Sequence, residues 1–151
     1  CGALSQVITV SQAKKPAEGG AQQEVIATLT FDNKAKRTTY TTSKQVWEDN
    51  DIVVTNDKSS STSNVGDYVN PARFYKSSKL TVTAPGNIQS IVFDCNNSTY
   101  ANDLKSSIKT GTVSVASDKV TVVLDGSTTD FVVASLSAQV RMDAITVTYL
   151  K

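Results

Sequence analysis

The feature that most constrains this chain is a two-residue alternation of apolar and polar side chains, which recurs in short segments from residue 25 onward. In the first segment one face carries Val25, Ala27, Leu29 and Phe31, and the other carries Ile26, Thr28 and Thr30. A period of two places successive side chains on opposite faces of a β-strand. Similar segments follow at residues 52–55, 80–84, 88–95, 112–116, 120–124, 131–136 and 140–150. Regular short strands separated by turns predict an antiparallel β-sandwich of the jelly-roll type.

One segment has a different period. Tyr100, Leu104 and Ile108 are spaced four residues apart, behind the candidate N-cap Ser98 and ahead of Gly111. Side chains at this spacing share one face of an α-helix, and serine and glycine are common at its two ends. The predicted fold is therefore all-β, with one short helix at residues 98–108.

Charge and composition exclude several functions. Fifteen Lys and Arg residues against 14 Asp and Glu give a net charge of +1, so no overall field attracts nucleic acid. His is absent, which excludes His-dependent catalytic triads and His-ligated zinc. The strings at residues 11–14 (SQAK) and 109–111 (KTG) match β-lactamase motifs, but a strand-dominated chain of 151 residues lacks the α/β domain that this chemistry needs. A glycosidase needs two facing carboxylates, and no such pair is distinguished by spacing. We predict no enzyme activity.

The first residues predict attachment to a membrane. The chain begins Cys1-Gly2-Ala3, as a bacterial lipoprotein does after its signal peptide is removed, so Cys1 is a predicted lipid anchor. A disulfide between Cys1 and Cys95, or a start without functional meaning, is the alternative. Cys95 itself alternates with an apolar run, which predicts a small buried side chain.

The pattern of apolar and polar residues divides the chain into two regions. Residues 1–23 comprise a predicted strand at residues 5–10 and a connector rich in Gly and polar residues. Residues 24–151 form the predicted sandwich domain.

The long polar stretch at residues 57–72 is the candidate functional loop, because it exceeds an ordinary hairpin turn. The predicted ligand-binding residues lie within or just after it: Tyr68, Asn70, Arg73 and Tyr75. Sugar rings stack on aromatic side chains, and neighbouring polar groups bind their hydroxyls. The alternative is that Arg73 and Tyr75 brace the loop while Phe74 packs inward. Trp47 is expected in the core rather than as a platform for a ligand.

Acidic residues indicate a possible structural Ca²⁺ site. Three of them flank Asn50: Glu48, Asp49 and Asp51. Asp32 and Asp143 lie next to or inside strands and are the candidate metal ligands, because hard cations take carboxylates together with loop carbonyls. The spacing does not match a dedicated Ca²⁺ loop, and a solvated acidic turn is the alternative. No other cofactor is predicted.

Four segments resemble a known type of module: residues 45–47 (QVW), 50–54 (NDIVV), 70–75 (NPARFY) and 140–149 (VRMDAITVTY). Over residues 24–151 the chain is similar to β-sandwich, jelly-roll domains of secreted and lipid-anchored proteins from gut-type bacteria, akin to carbohydrate-binding and galactose-binding-like modules. The resemblance implies a non-catalytic accessory role with a glycan ligand. It also implies Ca²⁺ near the first and last strands, where Glu24, Asp32 and Asp143 would correspond.

Two functional hypotheses follow. The first is a binding module of the bacterial cell envelope, surface-exposed or secreted, that is lipid-anchored through Cys1 and binds a polysaccharide. The second is a structural subunit of a cell-surface complex or filament, in which the strand at residues 5–10 contacts an envelope protein partner. Neither involves nucleic acid.

Overall fold

The computed structural model describes residues 22–151. The predictions for Cys1, for the strand at residues 5–10 and for the connector up to residue 21 lie outside the described residues.

Strands dominate the described chain, as the two-residue alternation predicts. They are β1 (Glu24–Thr30), β2 (Arg37–Tyr40), β3 (Lys44–Asp49), β4 (Ile52–Asp57), β5 (Ala72–Phe74), β6 (Lys79–Thr83), β7 (Asn87–Cys95), β8 (Thr112–Ala116), β9 (Lys119–Val123), β10 (Asp130–Val133) and β11 (Val140–Leu150). The α-helix α1 (Ser98–Ser107) follows β7, and a 3-10 turn (Lys34–Lys36) precedes β2.

The strands form two antiparallel sheets. The first sheet has the order β1–β11–β7–β9–β8, and β5 also pairs with β11. The second sheet has the order β10–β6–β4–β3–β2. Both β1 and β5 pair with β11, at Ala144–Leu150 and Val140–Met142 respectively. The predicted all-β sandwich with one short helix is confirmed.

The core lies between the sheets and contains a group of three aromatic rings. The ring centroid of Phe31, just after β1, is 5.1 Å from that of Trp47 and 5.7 Å from that of Phe74, both in edge-to-face geometry. All three side chains are fully buried. Such pairs stabilise a core beyond the area that they bury. The prediction that Trp47 belongs to the core is confirmed.

Helix α1 packs against the first sheet through its apolar face. Ala101 and Leu104 are buried, and the helix contacts β7, β8, β9 and β11. Its N-cap is Asn97, whose side chain accepts a hydrogen bond from the Tyr100 N–H, so the predicted Ser98 cap is wrong by one residue. Asn97 has extended backbone and presents its oxygen to the first turn, as an N-cap does.

Three strands were not predicted from alternation: β2, β3 and β5. The sequence of β2 is polar (RTTY), β5 has only three residues and follows Pro71, and β3 carries charged residues at both ends. Strand β10 ends at Val133 rather than at residue 136. Strands β2, β3 and β5 are defined by their pairing with neighbouring strands, and the local sequence pattern does not encode that pairing.

Candidate functional site

The candidate functional loop, predicted at residues 57–72, spans residues 58–71 between β4 and β5 and is fixed to the second sheet. The Tyr40 hydroxyl donates a hydrogen bond to the carbonyl of Val65 over 3.1 Å. The buried Gln45 amide donates to the carbonyl of Gly66 over 3.3 Å, and the Val65 N–H donates to Thr42 over 2.8 Å. Because β2, β3 and the turn between them all bind the loop, its side chains are presented on a rigid support.

A buried arginine adds an ionic contact under this loop. The Arg37 side chain is only 9% exposed, and its Nη1 lies 2.7 Å from Oδ1 of Asp67. The N–H groups are not aligned for a hydrogen bond there, so the contact is chiefly ionic. The guanidinium also stacks on Tyr40, 4.5 Å from the ring centroid. Arg37, and then Lys34, hold the pKa of Asp67 below its usual value.

Gly66 allows two tyrosines to approach the loop backbone. A Cβ atom at this position would lie 2.9 Å from Cδ2 of Tyr68 and 3.1 Å from the hydroxyl oxygen of Tyr75. Both rings therefore rest against Gly66, and any side chain at position 66 would displace the rings. Sequence reasoning missed Gly66. The pattern that could have identified it is a glycine two positions before an aromatic residue in a polar loop.

Arg73 joins the same group through a cation–π contact. Its Cζ lies 3.7 Å from the ring centroid of Tyr68, which is 43% exposed. In β5 the side chains of Ala72 and Phe74 are buried, so the intervening Arg73 projects from the outer face of the first sheet. We call Tyr68, Arg73 and Tyr75 the tyrosine–arginine cluster.

Asn70 is fixed through its main chain. Its N–H donates a hydrogen bond to the carbonyl of Phe31 over 2.8 Å, and the following bond to Pro71 is cis. Its φ of 56° lies in the left-handed region, which asparagine tolerates better than most residues. The structure thus brings together three of the four predicted ligand-binding residues and places Asn70 on the same loop. Phe74 is fully buried, as expected if Phe74 packs inward while Arg73 and Tyr75 brace the loop. The contact between Arg73 and Tyr68 therefore also supports the loop.

A second arginine–tyrosine pair lies beside the cluster. Arg141 of β11 is the direct cross-strand partner of Arg73, and its neighbours Val140 and Met142 are buried. The Cζ of Arg141 is 5.6 Å from the ring centroid of Tyr100. Sequence reasoning missed Arg141 and Tyr100, because their position beside Arg73 depends on the register between β5 and β11.

The two candidate Ca²⁺ ligands have different surroundings. The Asp32 carboxylate lies 2.8 Å from the Lys36 ammonium and accepts a hydrogen bond from Thr30, and these two contacts lower its pKa. Burial, and then the charge of Asp94, raise the pKa of Asp143. The side chains of Asp32 and Asp143 therefore contact different groups. Their main chains do meet, because the Asp143 carbonyl accepts a hydrogen bond from the Phe31 N–H. Within residues 22–151, no three His, Cys, Asp or Glu side chains form a metal-binding group.

Cys95 is a buried thiol at the end of β7, as its alternation predicts. Its side chain has no exposed area. Burial, followed by the charge of Asp94, raises its pKa to about 12. A thiol in this state is a poor nucleophile, since the thiolate is the reactive form.

No helix within residues 22–151 is long and apolar enough to cross a membrane. No protein-family profile, curated protein or solved structure matches the chain.

Proposed function

We propose that this domain is a non-catalytic binding module of the bacterial cell envelope that binds a glycan at the tyrosine–arginine cluster. The observation that carries the proposal is the exposed Tyr68 ring, held on a fixed loop between Gly66 and Arg73. A preformed site binds more tightly than a mobile one, because less conformational entropy is lost on binding.

The chemistry of the cluster is compatible with a sugar. The Arg73 guanidinium and Gly66 both contact the Tyr68 ring, so a sugar ring would pack on the part of the ring that stays exposed. Arg73 supplies fixed N–H donors, the Tyr75 hydroxyl donates and accepts, and the exposed Asn70 lies on the same loop. Aromatic area beside a few directed polar groups is the usual composition of a small-ligand site.

The proposed role is binding rather than catalysis because the cluster offers no acid–base pair. Its members are two phenols and a guanidinium, and the nearby Asp67 carboxylate is held by Arg37 and Lys34. The proposed attachment through an acylated Cys1 and the alternative role as a structural subunit both depend on residues outside the described part of the chain.

The test is binding to a panel of soluble polysaccharides by affinity electrophoresis, with Tyr68→Ala and Tyr75→Ala variants. We expect each substitution to weaken retention on the bound polysaccharide at least about five-fold, while the melting temperature changes by only a few degrees. Val132→Ala on β10 is the matched control, because Val132 is 42% exposed and lies on the other sheet. Unchanged retention of both tyrosine variants contradicts the proposal. A large loss of stability instead assigns the tyrosines to the structure of the loop.

A further inference from the structure

Two arginine side chains lie side by side on the outer face of the first sheet. Arg73 and Arg141 are directly opposite in the register of β5 and β11, and each is half-buried between two buried neighbours. Directly opposite residues on antiparallel strands have Cβ atoms about 4.5–5.5 Å apart. Like charges at this spacing repel and destabilise a sheet.

The described chain provides no direct ion pair that would offset this repulsion. Neither guanidinium forms an ion pair with a carboxylate of residues 22–151, whereas Arg37, Lys34, Lys36 and Lys119 all do so. The contacts of Arg141 are a hydrogen bond from its Nε to Gln139 over 2.9 Å and the stack on Tyr100. Arg73 contacts Tyr68. The pair is therefore held in place by neutral groups.

Each arginine of the pair contacts one tyrosine. Tyr68 stacks on Arg73, and Tyr100 stacks on Arg141. Stacking on aromatic rings restricts the guanidinium rotamers and leaves N–H groups directed away from the rings. Guanidinium forks bind the paired oxygens of carboxylate, sulfate and phosphate groups.

We propose that Arg73 and Arg141 form an anion-binding site, and that the bound glycan is an acidic one that carries uronate carboxylates or sulfate esters. The inference rests on the proposed function, since it specifies the ligand of the same surface and adds Arg141 and Tyr100 to it. An anionic group bound beside the two arginines would offset the repulsion between their charges. The net charge of +1 excludes a long-range field but not this local site.

The experiment compares matched polymers that differ in charge, with the full chain. Polygalacturonate is compared with its methyl ester, and dextran sulfate with dextran, by isothermal titration calorimetry at several salt concentrations. The variant is Arg141→Gln, and Arg141→Lys keeps the charge but removes the fork. Lys44→Gln is the matched control, because it removes one exposed positive charge from the second sheet. Melting temperatures verify that each variant is folded.

We expect one charged polymer to bind at least about ten-fold more tightly than its neutral counterpart. Arg141→Gln should weaken that binding about five- to ten-fold, Arg141→Lys should weaken it less, and Lys44→Gln should leave it unchanged. Tighter binding of polygalacturonate identifies carboxylate as the bound group, and tighter binding of dextran sulfate identifies sulfate.

Three results overturn the inference. Equal binding of charged and neutral polymers with no effect of Arg141→Gln refutes the anion site and leaves the glycan proposal intact if Tyr68→Ala abolishes binding. Equal weakening by Lys44→Gln and Arg141→Gln shows that overall charge is responsible. Failure of both charged polymers to bind contradicts the anion site, whereas the polysaccharide panel and the tyrosine variants decide the glycan proposal. If Arg141→Gln abolishes binding but Tyr68→Ala does not, the anion site stands and Tyr68 does not contact the glycan.

Discussion

Truncation of Phe31 to alanine tests whether the group of three aromatic rings holds the two sheets together. Phe31 has no exposed area and makes edge-to-face contacts with Trp47 and Phe74. Phe→Ala in a core costs about 3–5 kcal/mol from lost transfer energy and the cavity left behind. Each aromatic pair contributes about 0.5–1.5 kcal/mol beyond its area. We therefore expect Phe31→Ala to lower the free energy of unfolding by about 4 kcal/mol, near the middle of the range.

Urea unfolding followed by fluorescence measures this loss directly, because Trp47 is the only tryptophan and contacts Phe31. Phe31→Leu should recover part of the loss, since it refills most of the cavity. Val132→Ala, an exposed truncation, should cost less than about 0.5 kcal/mol. A loss below about 2 kcal/mol for Phe31→Ala, or a loss equal to that of Val132→Ala, would refute the reasoning that this contact joins the layers.

Three further predictions concern the helix cap, the thiol and the half-buried Asp143 carboxyl. Asn97→Ala should lower the free energy of unfolding by about 1 kcal/mol, because it removes the N-cap of α1; an unchanged thermal melt contradicts that role. In a Cys1→Ser protein, Cys95 should not react with a thiol reagent at pH 8 until urea is added, because burial raises its pKa to about 12, and rapid native reaction contradicts this burial. Folding raises the pKa of Asp143, so ionisation of this carboxyl is less favourable in the folded state. The stability that the protonated carboxyl gives is fully present below its unfolded pKa and is lost as the pH rises through its folded pKa. Asp143→Asn should therefore raise the melting temperature at pH 7 but not at pH 3. If Ca²⁺ instead raises the melting temperature of the wild-type protein, and Asp143→Asn abolishes that rise, the result supports the metal site.

Most of the fold was predictable because its strands carry a local signal. Leu80 and Val82 on β6, and Ile145 and Val147 on β11, alternate with threonines and are buried as that alternation predicts. The unpredicted strands lack this signal. Strand β5 is a strand only because Arg73 and its neighbours pair with β11, and no property of residues 72–74 alone indicates that partner.

The candidate site was predictable only where its members are close in sequence. Tyr68, Arg73 and Tyr75 share a loop and a short strand, so their grouping follows from the chain itself. Arg141 lies far from Arg73 in sequence and meets it through strand register. Asp32 and Asp143 illustrate the opposite case, in which main-chain segments meet but the carboxylates face different neighbours.

The final strand, β11, determines when the domain can fold. It pairs with β1, β5 and β7 and lies between strands from the beginning and the middle of the chain. A chain that stops before Val140 has no neighbour to connect β1 and β5 to β7. During synthesis the first sheet therefore stays incomplete until residues 140–150 leave the ribosome, and such long-range pairing slows folding.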